Sequence, residues 1–193
     1  MKLAESDYLL SKELEIVCNL LPESVAQHLI GDKPFEIQLH ESVTVFFSEL
    51  VDFDTIVQCS SPLQVYNTLE AMFRLFDEII ENFNVRKIET SSDVYMVASG
   101  LSLTSEYDHA GEIARMTLAI LDAFQSFTIP HLPHLCPELR VGIHSGPCAA
   151  GIAGFLTPRY CLFGDTINTC ARLRSHSFNC SLYTIVYVIQ ELT

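Results

Sequence analysis

Residues 43–53 read VTVFFSELVDF, and with KIETSSDVYM at residues 87–96 they form the two strand-like segments that are most informative in this chain. In the first segment, apolar and β-branched residues end at Phe47, which predicts a buried strand that stops before Glu49. In the second, a polar turn that contains Asp93 separates two alternating segments, which predicts a hairpin. Carboxylates at the tips of neighbouring strands can hold a pair of Mg²⁺ or Mn²⁺ ions over a triphosphate. The two acids therefore indicate either a phosphoryl-transfer or cyclisation site, or two ordinary solvated loop acids.

Length and composition restrict the classes of protein that remain. The 193 residues, 49% of them apolar, predict one domain with a substantial core. The net charge of −13 argues against nucleic-acid binding and against contact with an anionic membrane, so a nucleotide ligand would need metal ions to supply positive charge. No apolar run approaches the roughly 18 residues of a membrane span, and the N-terminus lacks the pattern of an export signal. The seven cysteines show no metal-site spacing, so we expect reduced thiols, no zinc and a cytoplasmic location.

The periodicity of apolar residues predicts the order of helices and strands. The predicted elements are a helical region over residues 7–29, a strand Val43–Phe47, a long helix from Pro62, a hairpin Lys87–Ala98, a helix His109–Phe127, a second hairpin of Leu139–His144 and Cys148–Ala153 around Ser145-Gly146-Pro147, and a strand over Ser181–Ile189. The central order β-α-β-β-α-β is that of an α+β, ferredoxin-like fold with an antiparallel-rich sheet and helices on one face.

The segment RYCLFGDTINTCARLRS, residues 159–175, predicts a short strand, a turn and a helix capped by Asp165 or Thr166. Asn168 and Arg172 are four residues apart, so they project from the same face of that helix. An amide beside a guanidinium provides donors suited to a polyphosphate in its transition state. The same spacing also occurs on ordinary solvated helix faces, so by itself it leaves both interpretations open.

Together these segments resemble the catalytic domain of class III nucleotidyl cyclases, and within that family the receptor-type guanylate cyclases. The likeness covers roughly residues 14–175 and is strongest in VTVFFSELVDF, KIETSSDVYMVASGL, RVGIHSGPCAAGIAG and RYCLFGDTINTCARL. The early segment LPESVAQHL is similar to the dimerisation helix that precedes these domains. The resemblance implies a dimerisation helix region at residues 1–36, a cyclase catalytic domain of class III type at 37–175 and a divergent tail at 176–193.

The resemblance also implies a head-to-tail dimer, homodimeric or heterodimeric, in which each active site is built from two subunits. One subunit supplies the metal-binding positions, and the other supplies the base-recognising positions and a pair that stabilises the transition state. The corresponding residues here are Glu49, Leu50 and Asp93 for a pair of Mg²⁺ or Mn²⁺ ions, Glu89 and Cys161 for the base, and Asn168 and Arg172 for the transition state. The implied reaction is attack of the ribose 3′-hydroxyl on the α-phosphorus, which forms a 3′,5′-cyclic nucleotide and releases pyrophosphate.

The choice of base follows from hydrogen-bonding chemistry. Guanine presents N1–H and its 2-amino group as adjacent donors, which a carboxylate such as Glu89 can accept. Adenine presents an acceptor at N1 and would need a lysine at that position. GTP is therefore the expected substrate, and cyclic GMP is the expected product.

The sequence departs from the family pattern at the implied metal loop. Where the family usually reads FSDIVGFT, this chain reads FSELVDFD, so Glu49 lengthens the first metal ligand and Asp52 replaces a glycine beside the triphosphate. One such negative charge at about 4 Å would repel an anionic ligand by about 4 kcal/mol at an effective dielectric near 20. Ser92 replaces a second glycine, and the tail after Ser175 carries no lysine that could bind phosphate. The alternative to an active enzyme is therefore a weakened, cyclase-like regulatory module, in the cytoplasm or as the intracellular portion of a membrane receptor.

Overall fold

The computed structural model describes residues 37–101, 108–154 and 158–176, together with Val25, Leu156 and the backbone of Val186–Val188. These residues fall into two units. The larger comprises the described residues from Leu39 to Cys148 and from Phe163 onwards, and the smaller comprises those up to Gln38 and from Ala149 to Leu162. The helix predicted over residues 7–29 lies outside the described residues, except for Val25.

The sheet of the larger unit has the strand order of a ferredoxin-like fold. The elements in chain order are β1 Gln38–Leu50, α1 Phe53–Gln58, α2 Pro62–Ile80, β2 Arg86–Ser91, β3 Val94–Ser99, α3 His109–Phe124, β4 Leu139–Ala153, β5 Arg159–Phe163, α4 Asp165–His176 and β6 Val186–Val188. In the larger unit the strands lie in the order β2-β3-β1-β4, and β3 pairs antiparallel with both β1 and β2. β6 pairs with β4 in parallel, and in the smaller unit β5 is hydrogen-bonded to β4. The α+β, ferredoxin-like prediction is confirmed.

The core of the larger unit lies between this sheet and helices α2 and α3. The apolar stripes of the two helices pack on alternate residues of β1, β3 and β4. The buried members are Phe46 and Leu50 from β1, Tyr95 and Val97 from β3, Val141 and Ile143 from β4, Met72 and Phe76 from α2, and Ile113, Met116, Ile120 and Phe124 from α3. Each large apolar side chain of this kind stabilises the fold by about 1.5–3 kcal/mol when it is buried. The predicted stripe of α3 is therefore core, whereas the predicted stripe of α2 is fully buried at Phe76, partly buried at Leu69 and Phe73, and exposed at Tyr66.

Helix α4 covers the opposite face of the sheet, so the predicted placement of the helices on one face holds for α2 and α3 and is wrong for α4. Gly142 lies between the core residues Val141 and Ile143, so its own face is turned away from α2 and α3. A Cβ atom at Gly142 would lie 2.5 Å from the carbonyl oxygen of Cys170 and 2.6 Å from the amide nitrogen of Arg174. The glycine therefore lets the α4 backbone approach β4 closely enough to bring α4 side chains to β1.

The predicted hairpin around Ser145-Gly146-Pro147 is wrong, because β4 runs without interruption from Leu139 to Ala153. The Ser145 hydroxyl is buried and shares a hydrogen bond of 2.7 Å with the hydroxyl of Thr44 on β1. A Cβ atom at Gly146 would lie 2.7 Å from Oγ1 of Thr166 on α4. These turn-forming residue types therefore allow close approach between elements here and do not form a turn.

Three further differences concern element boundaries. β1 continues through Leu50 instead of ending at Phe47, so Glu49 is a strand residue with a defined face. The short helix α1 was not predicted. Of the strand predicted over Ser181–Ile189, the described part is β6, and the rest lies outside the described residues. Among the described ranges, no helix has the length and apolar character that a membrane span requires.

Candidate active site

Glu49, near the end of β1, is held by two arginines. Its Oε2 lies 3.0 Å from Nε of Arg174 on α4, and its Oε1 lies 3.5 Å from Nη1 of Arg140 on β4. The side chain of Glu49 is 17% exposed, and those of Arg174 and Arg140 are 16% and 27% exposed. We call these three residues the Glu49 cluster. Its carboxylate already has two cationic partners within the chain, and the cluster is largely shielded from solvent.

Strand alternation explains why the Glu49 cluster forms on this face of the sheet. Phe46 and Leu50 pack into the core beneath α2 and α3, so Phe47 and Glu49 are directed to the other face, which α4 covers. The guanidinium of Arg174 lies over the Phe47 ring, 5.6 Å from its centroid. A planar guanidinium can stack on a ring and pair with a carboxylate at the same time.

Asp93 lies in the turn between β2 and β3 and reaches the end of β1. Its Oδ2 accepts a hydrogen bond of 3.1 Å from the backbone amide of Leu50. The strands that carry the two acids are neighbours, with Ser48 of β1 opposite Tyr95 of β3. Glu49 and Asp93 therefore come from adjoining strands, as the sequence predicts, but one contacts arginine side chains and the other a backbone amide.

These contacts do not fit a site for two divalent ions. An ion at Glu49 would lie beside two guanidinium groups, whereas Mg²⁺ needs a near-octahedral shell of oxygen ligands. Within the part of the chain that the structure describes, no group of three or more His, Cys, Asp or Glu residues could hold a metal ion. The metal-binding role of Glu49, Leu50 and Asp93 stays a prediction that this arrangement of side chains does not support.

The two residues that replace family glycines both adopt a left-handed backbone conformation. Asp52 has φ 52° and Ser92 has φ 55°, and no other non-glycine residue of the described ranges has a positive φ. Asp52 precedes α1, and its side chain makes no capping hydrogen bond. This conformation costs a residue with a side chain on the order of 1 kcal/mol. Both loops beside the acids therefore keep the backbone shape that a glycine would adopt, with some strain.

Asn168 and Arg172 lie on the exposed face of α4. The buried Thr166 hydroxyl donates to the carbonyl of Pro147 at 2.6 Å and fixes the start of the helix. α4 begins at Asp165, so Asp165 and Thr166 are first-turn residues and not the predicted cap. Arg172 pairs with Asp165 at 3.5 Å, but the two side chains are 67% and 84% exposed, and surface pairs of this kind are weak. The predicted pair is therefore presented to solvent.

The predicted base-recognising residues lie in different units. Glu89 is an exposed residue of β2 that pairs with Met96 of β3, next to a register shift that begins at Lys87. Cys161 is a half-buried cysteine outside any disulfide on β5, within the smaller unit. Their role in recognising a base stays a prediction.

A polar network that the sequence did not reveal ties the β2–β3 hairpin to α2. The Tyr95 hydroxyl donates to Asp77 of α2 at 2.5 Å, and the Lys87 ammonium donates to the same carboxylate at 2.7 Å. The ammonium also lies 5.0 Å from the centroid of the Tyr95 ring. Burial raises the pKa of the Tyr95 phenol, and the hydrogen bond to Asp77 raises it further. The hairpin that carries the predicted base and metal residues is therefore anchored to a core helix.

The chain belongs to the adenylate and guanylate cyclase catalytic domain family, and the match covers residues 35–185. It is 47% identical over 161 residues to atrial natriuretic peptide receptor 2 of Rattus norvegicus, which covers 83% of this chain and 15% of the receptor. The guanylate cyclase domain of RhGC from Catenaria anguillulae, solved in complex with GTP, superposes with a TM-score of 0.68 at 34% identity, covering 73% of this chain and 76% of that one. A non-canonical dimeric guanylyl cyclase domain of the RhoGC fusion protein from Blastocladiella emersonii gives a TM-score of 0.67 at 34% identity, with coverage of 75% of this chain and 79% of that one.

Membership of this family makes the surroundings of the predicted metal-binding residues relevant to the chemistry. Cyclase catalytic domains generally depend on divalent metal. This chain spans only 15% of the length of the receptor relative, so its relatives contain far more than the region described above.

Proposed function

We propose that this domain takes part in the conversion of GTP to 3′,5′-cyclic GMP and pyrophosphate, as a guanylate cyclase in intracellular signalling. The observation that carries the proposal is the exposed face of α4, which presents Asn168 and Arg172 while Gly142 keeps the helix seated on β4. Similar solved domains are guanylate cyclases, one of them with GTP bound, which supports the reaction and the substrate.

The proposed contacts with GTP are made by residues whose side chains have suitable chemistry. Arg172 donates to phosphate oxygens, for which a guanidinium is geometrically suited, and Asn168 donates beside it as negative charge builds up. The present partner of Arg172 is a solvent-exposed carboxylate, so exchanging that partner for phosphate costs little. Glu89 accepts the N1–H and 2-amino donors of guanine, and Cys161 is the second base-recognising residue.

We further propose that the active site forms between this chain and a companion cyclase domain in a head-to-tail dimer. This chain contributes Glu89, Cys161, Asn168 and Arg172, and the companion contributes the metal-binding carboxylates. The non-canonical dimer formed by the Blastocladiella emersonii domain supports pairing between cyclase domains, and the head-to-tail arrangement is part of the proposal. Because two arginines hold Glu49, we assign the expected pair of Mg²⁺ or Mn²⁺ ions to the companion and not to this chain. A heterodimer is therefore favoured over a homodimer.

The receptor relative also suggests where the domain works. We infer a cytoplasmic position, as the intracellular portion of a membrane receptor, from the similarity to a natriuretic peptide receptor. The activity and partners of such a longer protein are part of the proposal.

A second candidate function is a regulatory module that pairs with a cyclase domain and contributes little to catalysis. The ion-paired Glu49 favours it, because a homodimer of this chain would lack a free metal-binding glutamate in both of its sites. The two candidates differ at Arg172, since only the catalytic role requires its guanidinium.

The test is complementation of a guanylate cyclase domain that keeps its metal-binding aspartates but has its own transition-state Asn and Arg replaced by alanine. This companion is purified together with the present chain, and cyclic GMP formation from GTP and Mn²⁺ is measured. Activity should fall by about 10²–10³-fold when the chain carries Arg172→Ala. Arg115→Ala is the matched control and should leave the rate unchanged, because the partners of this exposed arginine among the described residues are Glu112 of its own helix and the cap Asp108.

The two outcomes separate the candidates. A rate that is insensitive to Arg172→Ala would reject the catalytic role. The catalytic role would also be rejected if a mixed dimer, with its assembly verified by analytical ultracentrifugation, formed no cyclic GMP. In that case, a changed rate of a companion that keeps its own transition-state Asn and Arg would support the regulatory role.

A further inference from the structure

We infer that Arg174 and Arg140 are built-in counter-ions that occupy the Glu49 carboxylate in place of a divalent cation, so that this half of the dimer takes up no metal there. This role rests on the proposed function, since it concerns the carboxylate that a cyclase domain would offer to metal. It also assigns a specific role to Arg174 and Arg140, which have no role in the catalytic proposal.

Each carboxylate oxygen of Glu49 has a cationic neighbour. Arg174 approaches Oε2 at 3.0 Å from α4, and Arg140 approaches Oε1 at 3.5 Å from β4. Two guanidinium groups and one carboxylate give the Glu49 cluster a formal charge of +1. A divalent ion that joined the cluster would meet net positive charge instead of the negative charge that normally attracts it.

Burial and packing keep the arginines in place. All three side chains of the cluster are at least about 70% shielded, with the exposed fractions at 16%, 17% and 27%. Arg174 also stacks on the Phe47 ring, and its backbone position is set by the close approach of α4 to Gly142. If a shielded guanidinium moved away from the carboxylate, it would leave an unpaired charge in a poorly solvated environment. This cost strongly disfavours replacing an arginine by a metal ion.

Asp93 is the second predicted acidic ligand, and one of its two carboxylate oxygens is already hydrogen-bonded. Asp93 accepts the amide of Leu50, and the described ranges hold no cluster of three or more metal-binding side chains. Mg²⁺ binds through one or two carboxylates together with water and substrate phosphates. Without Glu49, Asp93 is the one remaining side-chain carboxylate among the three predicted metal-binding residues, because Leu50 has no carboxylate.

The experiment is a Mn²⁺ titration of the chain without nucleotide, followed by electron paramagnetic resonance of the free aqua ion. Five proteins are compared: wild type, Glu49→Gln, the double variant Arg140→Gln/Arg174→Gln, the same double variant with Glu49→Gln added, and Arg115→Gln as a matched surface control. Wild type, Glu49→Gln and the control should bind Mn²⁺ equally weakly. The double variant should gain a site at least about tenfold tighter, because the repelling charges are gone, and adding Glu49→Gln should remove it again.

Wild-type protein that binds Mn²⁺ more tightly than Glu49→Gln would overturn the inference. A double variant that is folded by circular dichroism but gains no Glu49-dependent site would overturn it too. If the double variant does not fold, the test is the shift in the midpoint of thermal unfolding that Mn²⁺ causes in wild type and in Glu49→Gln. Equal shifts in the two proteins support the inference. A stabilisation by Mn²⁺ that occurs only in wild type overturns it. Since metal binding is read without turnover, this result and the mixed-dimer assay can fail independently.

Discussion

The pairing between Glu49 and Arg174 can be measured by a double-mutant cycle. Their 3.0 Å separation corresponds to a Coulomb attraction of about 5.5 kcal/mol at an effective dielectric near 20. That value is an upper bound, because each side chain stays partly hydrated and Arg140 remains beside Glu49 when Arg174 is removed. We expect a coupling free energy of about 2 kcal/mol, and we expect Arg174→Gln alone to lower the free energy of unfolding by about 2–3 kcal/mol.

The assay is urea unfolding followed by circular dichroism for wild type, Glu49→Gln, Arg174→Gln and the double variant. The exposed pair of Glu70 and Arg74 on α2 provides a control cycle, with a separation of 3.6 Å and side chains that are 48% and 72% exposed. Its coupling should be only about 0.3–0.5 kcal/mol. A coupling between Glu49 and Arg174 no larger than that of the control pair would refute the reasoning.

Four further predictions concern backbone strain, helix packing, thiol reactivity and base choice. Ser92→Gly should raise the midpoint of thermal unfolding by about 2–4 °C, since glycine adopts this positive φ without steric cost. Gly142→Ala should lower the free energy of unfolding by at least about 2 kcal/mol in urea, because its Cβ would lie 2.5 Å from an α4 carbonyl oxygen. Burial raises the pKa of the Cys170 thiol to about 12, so at about pH 8 iodoacetamide should label the exposed Cys59 first, as peptide mass spectrometry would show. Glu89→Lys should lower the ratio of cyclic GMP to cyclic AMP that the mixed dimer forms from equal GTP and ATP.

Each of these four predictions has its own contrary result. Ser91→Gly, in an extended strand, should not stabilise the chain, so an equal rise there would remove the explanation by left-handed strain. Gly151→Ala would meet its nearest atom at 3.5 Å and should cost little, so an equal loss there would contradict the close approach of α4. Equally fast labelling of Cys170 and Cys59 would contradict the burial of the thiol. An unchanged product ratio would contradict the role of Glu89.

Much of the fold could be predicted because apolar periodicity reports which face of each element is buried. The stripe of α3, the stripe of α2 except for the exposed Tyr66, and the hairpin that contains Asp93 appear in the structure as expected. The stripes and the hairpin depend on local residue types, which a sequence shows directly. The left-handed backbone at Asp52 and Ser92 was not predicted, because neither residue type requires a positive φ.

The features that could not be predicted depend on contacts between distant parts of the chain. Ser145 and Gly146 are typical of turns, and only the neighbouring β1 and α4 explain why they lie within a continuous strand. The placement of Glu49 near a strand end was predicted, but its two partners lie on β4 and α4. Arg174 is two residues from Arg172, and only the packing of α4 shows that one is shielded and the other exposed.

The most direct measurement compares the rate of cyclic GMP formation by this chain alone with that of the mixed dimer, at equal GTP and Mn²⁺. If the chain supplies only the base-recognising and transition-state residues, its own rate should be at least about 100-fold lower, because no carboxylate pair holds the metal. A rate for the chain alone that matches the mixed dimer would contradict that division of roles.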